Sequence, residues 1–153
     1  MFGRTMQRRS LRSHVLVGLQ LVFVAMACYP VGWRNSGSAW FLLLCLLGTI
    51  LGIVVLYFNR IPNFGVYPEV KVGAELITRG PYHYVRHPMY TALVIMMVGI
   101  AGYNGHLSNG IGAVGVAVVV VRKALLEEDF LSAVFPQYPV YKARTARFIP
   151  YVF

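Results

Sequence analysis

Apolar residues in this chain run in long blocks, and polar residues gather in a few clusters between them. Val15 to Trp33 is nineteen residues without a charge, and Ala39 to Phe58 is twenty. Both match the roughly 20 residues that a helix needs to cross a hydrocarbon core. A third run opens at Pro88 and fades near Gly102. A fourth, Ile111 to Val121, is long enough only if its helix continues through Arg122–Glu128 with the basic side chains snorkelling. The pattern predicts an all-α, polytopic integral membrane protein with four transmembrane helices, at about 15–33, 39–58, 88–103 and 111–126. Residues 1–153 read as one membrane domain. Breakers fill the stretches between, with Pro62, Gly65, Pro68 and Gly73 in 59–87, and a turn at Asn104–Gly110. Ala25-Met26-Ala27 offers a small-x-small signal-peptidase pattern, but the apolar run continues beyond it, so a retained helix is expected.

Composition agrees: 58% of residues are hydrophobic and 12% charged, about half the charged fraction usual in soluble domains. Fourteen Lys and Arg against five Asp and Glu give +9, a balance often seen with nucleic-acid partners. Here the positive charges flank apolar runs, which points to a membrane and away from nucleic acid. With four spans, thirteen of the fourteen basic residues share one side and Arg34 alone lies opposite. The positive-inside rule makes that side cytoplasmic. Cys28 and Cys45 sit inside apolar runs without metal-ligand spacing, so buried hydrophobes are expected and no metal site.

Candidate chemistry concentrates between Gly80 and Tyr90, where three Tyr, two His and one Arg stand within eleven residues. Pro88 suits the first turn of a helix, because its missing N–H had no partner there. The cluster then lies at a helix N-terminus, where free amides favour an anion. An interfacial aromatic belt is the plainer reading of the same residues. All five acids, Glu69, Glu75, Glu127, Glu128 and Asp129, map to the same side of the membrane. The third and fourth spans form a hairpin whose open end brings Arg86 and His87 towards Glu127 and Glu128. Such a site suits a ligand bearing both a carboxylate and an ammonium. Lys123 and Glu127 are four apart and could instead simply pair. Gly110-Ile-Gly-Ala-Val-Gly115 matches G-x-G-x-x-G, but no strand precedes it, so close helix packing is expected. Gly48-x-x-x-Gly52 carries the same expectation.

Leu76 to Tyr90, then a hydrophobic hairpin, Glu127-Glu128-x-Phe-Leu131 and Tyr138-x-x-Tyr-Lys142, resembles the isoprenylcysteine carboxyl methyltransferase family. The chain is similar, more broadly, to the related phospholipid methyltransferases. Asn63-Phe64 and Arg147-Phe-Ile-Pro150 fit the same pattern, and the match covers roughly residues 59–150. The resemblance implies a helical membrane enzyme that uses S-adenosylmethionine, with cofactor segments at 76–90 and 122–150. By it, Tyr82, Arg86, His87, Pro88 and Tyr90 line the cofactor pocket, and Glu127 and Glu128 close it. Arg86 is the natural partner of the cofactor carboxylate, and a glutamate that of its ammonium. An acid usual before the first tail tyrosine is absent, and Pro136 and Pro139 tighten the tail.

The acceptor is expected to be a lipid or a prenylated small molecule reaching the site from the bilayer, foremost an isoprenylcysteine-like carboxylate. That group is ionised at neutral pH and needs no base; Arg144 or Arg147 would orient it. A phospholipid amine must first lose a proton, with Glu127 the available base, and a lipophilic thiol needs a thiolate. The site would face the cytoplasm, in a bacterial cytoplasmic membrane or an internal eukaryotic one. A small transporter, a catalytically silent membrane protein and a nicotinamide-dependent reductase are the competing classes. Transporters usually place an ionisable residue within a span, and these spans hold none.

Overall fold

The computed structural model describes residues 10–29, 37–63 and 65–152, with backbone alone at 60–62. Within them the chain is helical: α1 Leu11–Cys28, α2 Phe41–Asn63, α3 Pro88–Asn104, α4 Leu107–Val134 and α5 Tyr138–Arg144, plus a 3-10 turn at Gly80–His83. No strand occurs among the described residues, and one isolated parallel bridge joins Val85 to Ala146. Three helices, α1, α2 and α4, are long and apolar enough to cross a membrane. The apolar α3 is shorter, at 17 residues, or about 26 Å at 1.5 Å per residue.

Helix ends differ from the sequence expectation for local reasons. The first helix starts at Leu11, not at 15, because Ser10 caps it: its Oγ accepts the Ser13 N–H at 3.1 Å. Its end is at Cys28, while residues 30–33 of the expected span lie outside the described residues. Also outside them are Arg4, Arg8, Arg9 and Arg34, on which the charge asymmetry partly rests. The second helix continues five residues past 58, to Asn63. Only Gly105 and His106 separate α3 from α4, because Gly105 takes the left-handed conformation (φ 75°) that closes a helix in a single residue. The expected turn at 104–110 is therefore mostly helix, and α4 runs 28 residues instead of the sixteen of 111–126.

α1 lies along α4, α2 lies along α3, and α3 packs against α4 between them. Ala27, Met97, Ala113, Val116 and Val120 form the buried centre. Most of the large aliphatic side chains of α1 and α2 point outward instead, Leu46, Ile50 and Ile53 among them. In water such a surface would aggregate; against lipid tails it is ordinary. Association then rests on close approach and on polar pairs. A Cβ on Gly48 would lie 2.7 Å from the Met96 backbone nitrogen, and one on Gly112 would strike the Ala27 backbone. Gly115 faces the Phe23 ring. The G-x-G-x-x-G glycines thus serve α1–α4 packing at Gly112 and Gly115, while Gly110 faces open space. At this end Asn104 and Asn109 donate to the last carbonyls of α1, Asn109 Nδ2 reaching Tyr29 O at 2.9 Å.

Close packing predicts an asymmetry within Gly48-x-x-x-Gly52. Gly48→Ala should destabilise by about 1–3 kcal/mol through overpacking. Gly52→Ala, with 3.9 Å to its nearest neighbour, should change little. Thermal unfolding in detergent, followed by helical circular dichroism, checks both.

Candidate functional site

The polar cluster assembles where the open end of the α3–α4 hairpin meets the tail. Pro88 opens α3 as its first residue, and Gly80 starts the 3-10 turn upstream with φ 62° beneath the Phe58 ring. The tail then zips against residues 84–87 by backbone: Ala146 N–H donates to Tyr84 O, Arg86 N–H to Ala146 O and His87 N–H to Arg147 O, at 2.9–3.2 Å. Thr91 Oγ1 donates to Phe148 O, and Tyr141 OH donates to Tyr82 O at 2.6 Å. Residues 82–91 and 138–148, distant in sequence, become one surface.

Glu128 sits at the centre, 1% exposed. Arg86 Nε and Arg147 Nε each donate to its Oε1 at 3.0 Å, and Lys142 Nζ lies 2.8 Å from Oε2. His87 Nε2 is 3.3 Å from Oε1, yet makes no aligned hydrogen bond, so that contact is electrostatic. Arg86 also donates through Nη1 to the carbonyls of Lys142 and Thr145. One carboxylate therefore gathers cations from the α3 entrance, α5 and the tail. Such charge-assisted bonds offset the cost of burying it.

Glu127, the preceding residue, has a different setting. Its side chain is 31% exposed; Oε2 accepts from Tyr90 OH at 3.0 Å and lies 3.6 Å from His87 Nδ1. Lys123 does not pair with it. Its buried ammonium instead reaches Gln20 Oε1 at 2.6 Å and Val66 O at 2.7 Å, and lies over the Tyr90 ring.

Two clefts share Arg86 as a wall. The first, a space of about 130 Å³ open to solvent, is lined by Tyr82, Arg86, His87, Tyr90, Glu127 and Tyr138, and by residues from the 65–77 stretch. Of the residues expected from sequence, Pro88 and Glu128 do not line it: Pro88 is buried at the helix start and Glu128 lies behind Arg86. The second cleft holds Arg144 and Arg147, with Lys142 and His83. The structure thus brings Arg147 to Glu128 and puts Arg144 on the far side of Arg86 from the first cleft.

Two features of the first cleft were not singled out from sequence. Tyr138 is fully buried, and its hydroxyl has no partner among the described residues. The 65–77 stretch forms the outer wall, pinned where Asn63 and Glu75 exchange bonds of 3.0 and 3.1 Å. Tyr138 stood in a recognised motif; the wall had no signal beyond its breakers. Burial raises the Tyr82 and Tyr138 phenols above their ordinary range and pushes Tyr141 up to about 12. The three phenols stay protonated at neutral pH, and Tyr141 donates its proton to the Tyr82 carbonyl. No group of three metal-ligating side chains occurs among the described residues.

Against known proteins, the sequence pattern of the phospholipid methyltransferase family matches residues 36–138. A nickel-cobalt-cadmium resistance protein, NccN, of Alcaligenes xylosoxydans xylosoxydans is 26% identical over 131 residues, covering 85% of this chain and 61% of that protein. A cobalt-zinc-cadmium resistance protein, CzcN, of Cupriavidus metallidurans is 25% identical over 140 residues, 91% of this chain and 64% of that one. The chain thus spans less than two thirds of the length of these relatives.

The two neighbouring glutamates should behave differently on neutralisation. Glu128→Gln leaves Arg86, Arg147 and Lys142 without their shared anion and should cost about 3 kcal/mol or more. Glu127→Gln, partly exposed, should cost well under half as much. Denaturant unfolding in detergent compares them directly.

Proposed function

The chain belongs to the phospholipid methyltransferase family, and from that premise we propose a membrane methyltransferase that takes S-adenosylmethionine as donor and a lipophilic acceptor from the bilayer. The observation that carries the reading is the first cleft. There Glu127, Arg86 and Tyr138 line one space, and among the described residues one Glu127 oxygen and the buried Tyr138 hydroxyl have no partner.

The residues fit the donor's groups. Glu127 suits the ammonium, and Arg86 the carboxylate, since a guanidinium keeps its charge and Nη2 stands outside its bonds to Glu128 and to the Lys142 and Thr145 carbonyls. Tyr82, Tyr90 and Tyr141 offer ring faces for an aromatic base, and the Tyr138 hydroxyl supplies a buried donor. Glu128 acts through Arg86, holding its Nε so that the fork is fixed before the ligand arrives. When bound, S-adenosylmethionine supplies an electrophilic methyl group on a sulfonium, transferred in line to the acceptor. The protein's work is alignment and exclusion of water.

For the acceptor we propose an isoprenylcysteine-like carboxylate. The excess of cations around Glu128 attracts an anion, and an ionised carboxylate requires no base. That carboxylate has to meet the donor methyl in the first cleft, so Arg144 and Arg147, which line the second, are not proposed to touch it. A phospholipid amine is the alternative acceptor, with Glu127 then serving as base. The metal resistance in the relatives' names finds no ligand cluster among the described residues, so a direct metal-handling role is not proposed. With α3 as the fourth span, the hairpin's open end would face the cytoplasm.

Calorimetric titration of S-adenosylmethionine into detergent-purified protein tests the donor site. Glu127→Gln should weaken binding at least tenfold, on the order of 1.4 kcal/mol or more. Arg86→Ala should do the same, with Arg86→Lys a poor rescue, and Arg79→Ala should bind as the wild type does. Wild-type affinity in a folded Glu127→Gln protein refutes the donor site. Labelled methyl transfer to a prenylcysteine, an aminophospholipid and a lipophilic thiol identifies the acceptor.

Sidedness has its own check. On a Cys28→Ala/Cys45→Ala background, Leu107→Cys, at an 82% exposed position, should label from outside the cell. Val72→Cys, at a 78% exposed position, should label only after permeabilisation. The reverse pattern would invert the topology.

A further inference from the structure

The second cleft carries more positive charge than any acceptor carboxylate requires. Arg86, Lys142, Arg144 and Arg147 line it, a space of about 580 Å³, and no acid among the described residues stands in its wall. Glu128, buried behind it, pairs with Arg86, Lys142 and Arg147. Lys142 and Arg144 are the outermost, with the Lys142 side chain 44% exposed and the Arg144 residue exposed too. A concentration of like charge this close is unfavourable unless an anion joins it.

The rim indicates where that anion comes from. Tyr84 is 54% exposed, Tyr151 92% and Val152 77%, so aromatic and aliphatic side chains stand beside the exposed Lys142 and Arg144 at the opening. Aromatic rings beside lysine and arginine are the surface that settles at the headgroup level of a bilayer. At that depth the available anions are lipid phosphates, which attract basic side chains.

We propose that the outer part of this cleft, between Lys142, Arg144 and the Tyr84–Tyr151 rim, binds the headgroup phosphate of an anionic glycerophospholipid. That lipid is a bound component, distinct from the methyl acceptor, and it docks the tail against the bilayer. Since Lys142 touches Glu128 and Arg144 closes α5, the lipid stabilises the segment that holds Arg86 in place. The inference does not depend on the identity of the methyl donor.

The full chain, delipidated in detergent, is titrated with short-chain phosphatidylglycerol, phosphatidylcholine or inorganic phosphate, with no cofactor present. Thermal unfolding is the readout. Phosphatidylglycerol should raise the Tm by several degrees at concentrations where phosphatidylcholine does not, with at least a tenfold difference in half-saturating concentration. Lys142→Gln/Arg144→Gln should lose that difference while keeping the wild-type Tm trend in phosphatidylcholine. Equal responses of the wild type to the two lipids overturn the proposal without any variant. So does a preference that survives in the double variant. A response to inorganic phosphate that matches phosphatidylglycerol refutes the lipid source and makes this a site for free phosphate. Loss of cofactor binding with the lipid preference intact would count against the proposed function alone.

Discussion

Glu128 is the constraint on which the rest of the site depends. A buried carboxylate is costly unless several donors surround it, and here they come from three separate segments. Arg86 enters from the start of α3, Lys142 from α5 and Arg147 from the tail. None can leave without exposing a charge imbalance in a place that water barely reaches. The backbone pairing of 84–87 with 146–147 follows, since the cations on both strands of that pairing converge on the same two oxygens. The cluster is what makes a loop and a tail behave as one surface.

The two ends of the bundle are closed by different chemistry. At the α3–α4 turn the closing groups are neutral: Asn104 and Asn109 amides satisfy the last carbonyls of α1, and glycines let backbones meet. Apolar burial contributes little to the association of helices in lipid, so these contacts carry it. At the open end the closing groups are charged, and the segments are short and irregular. Irregular backbone is tolerable there because side chains and the tail supply its partners. Charge at one end and amides at the other let a site form without loosening the helices that carry it.

Much of this was legible beforehand. Unbroken apolar runs revealed α1, α2, α3 and α4, and Pro88 marked the start of α3 correctly, because proline's effect on a helix is local. Helix ends were less legible. Ser10 moved one by four residues, and a single left-handed Gly105 did what seven turn-forming residues had suggested. The gathering of Arg86, His87, Glu127 and Glu128 followed from hairpin topology, which sequence spacing conveys. Which atoms meet did not follow. Lys123 reads as a partner for Glu127 on a lone helix, but α1 and the 65–77 wall offer Gln20 Oε1 and the Val66 carbonyl. Tertiary neighbours outcompeted the i,i+4 rule, and no one-dimensional pattern records them.

Glu127 and Glu128 illustrate how one chemical type acquires two roles. Neighbours on an α-helix point about 100° apart, and the one ring both reach, His87, they meet on opposite nitrogens, Glu127 at Nδ1 and Glu128 at Nε2. That rotation turns Glu128 into the cation cluster, where its oxygens are taken, and Glu127 towards the cleft, where one oxygen remains uncommitted. A single glutamate could hold Arg86 or meet a ligand ammonium, but not both, because the inward oxygens are already engaged. Separating the tasks lets the inner residue fix the geometry while the outer one stays free to bind. Arg86, held by the inner glutamate, lines both clefts. An anion drawn to either cleft changes the field at Arg86, and the shared carboxylate behind it makes the two clefts electrostatically interdependent.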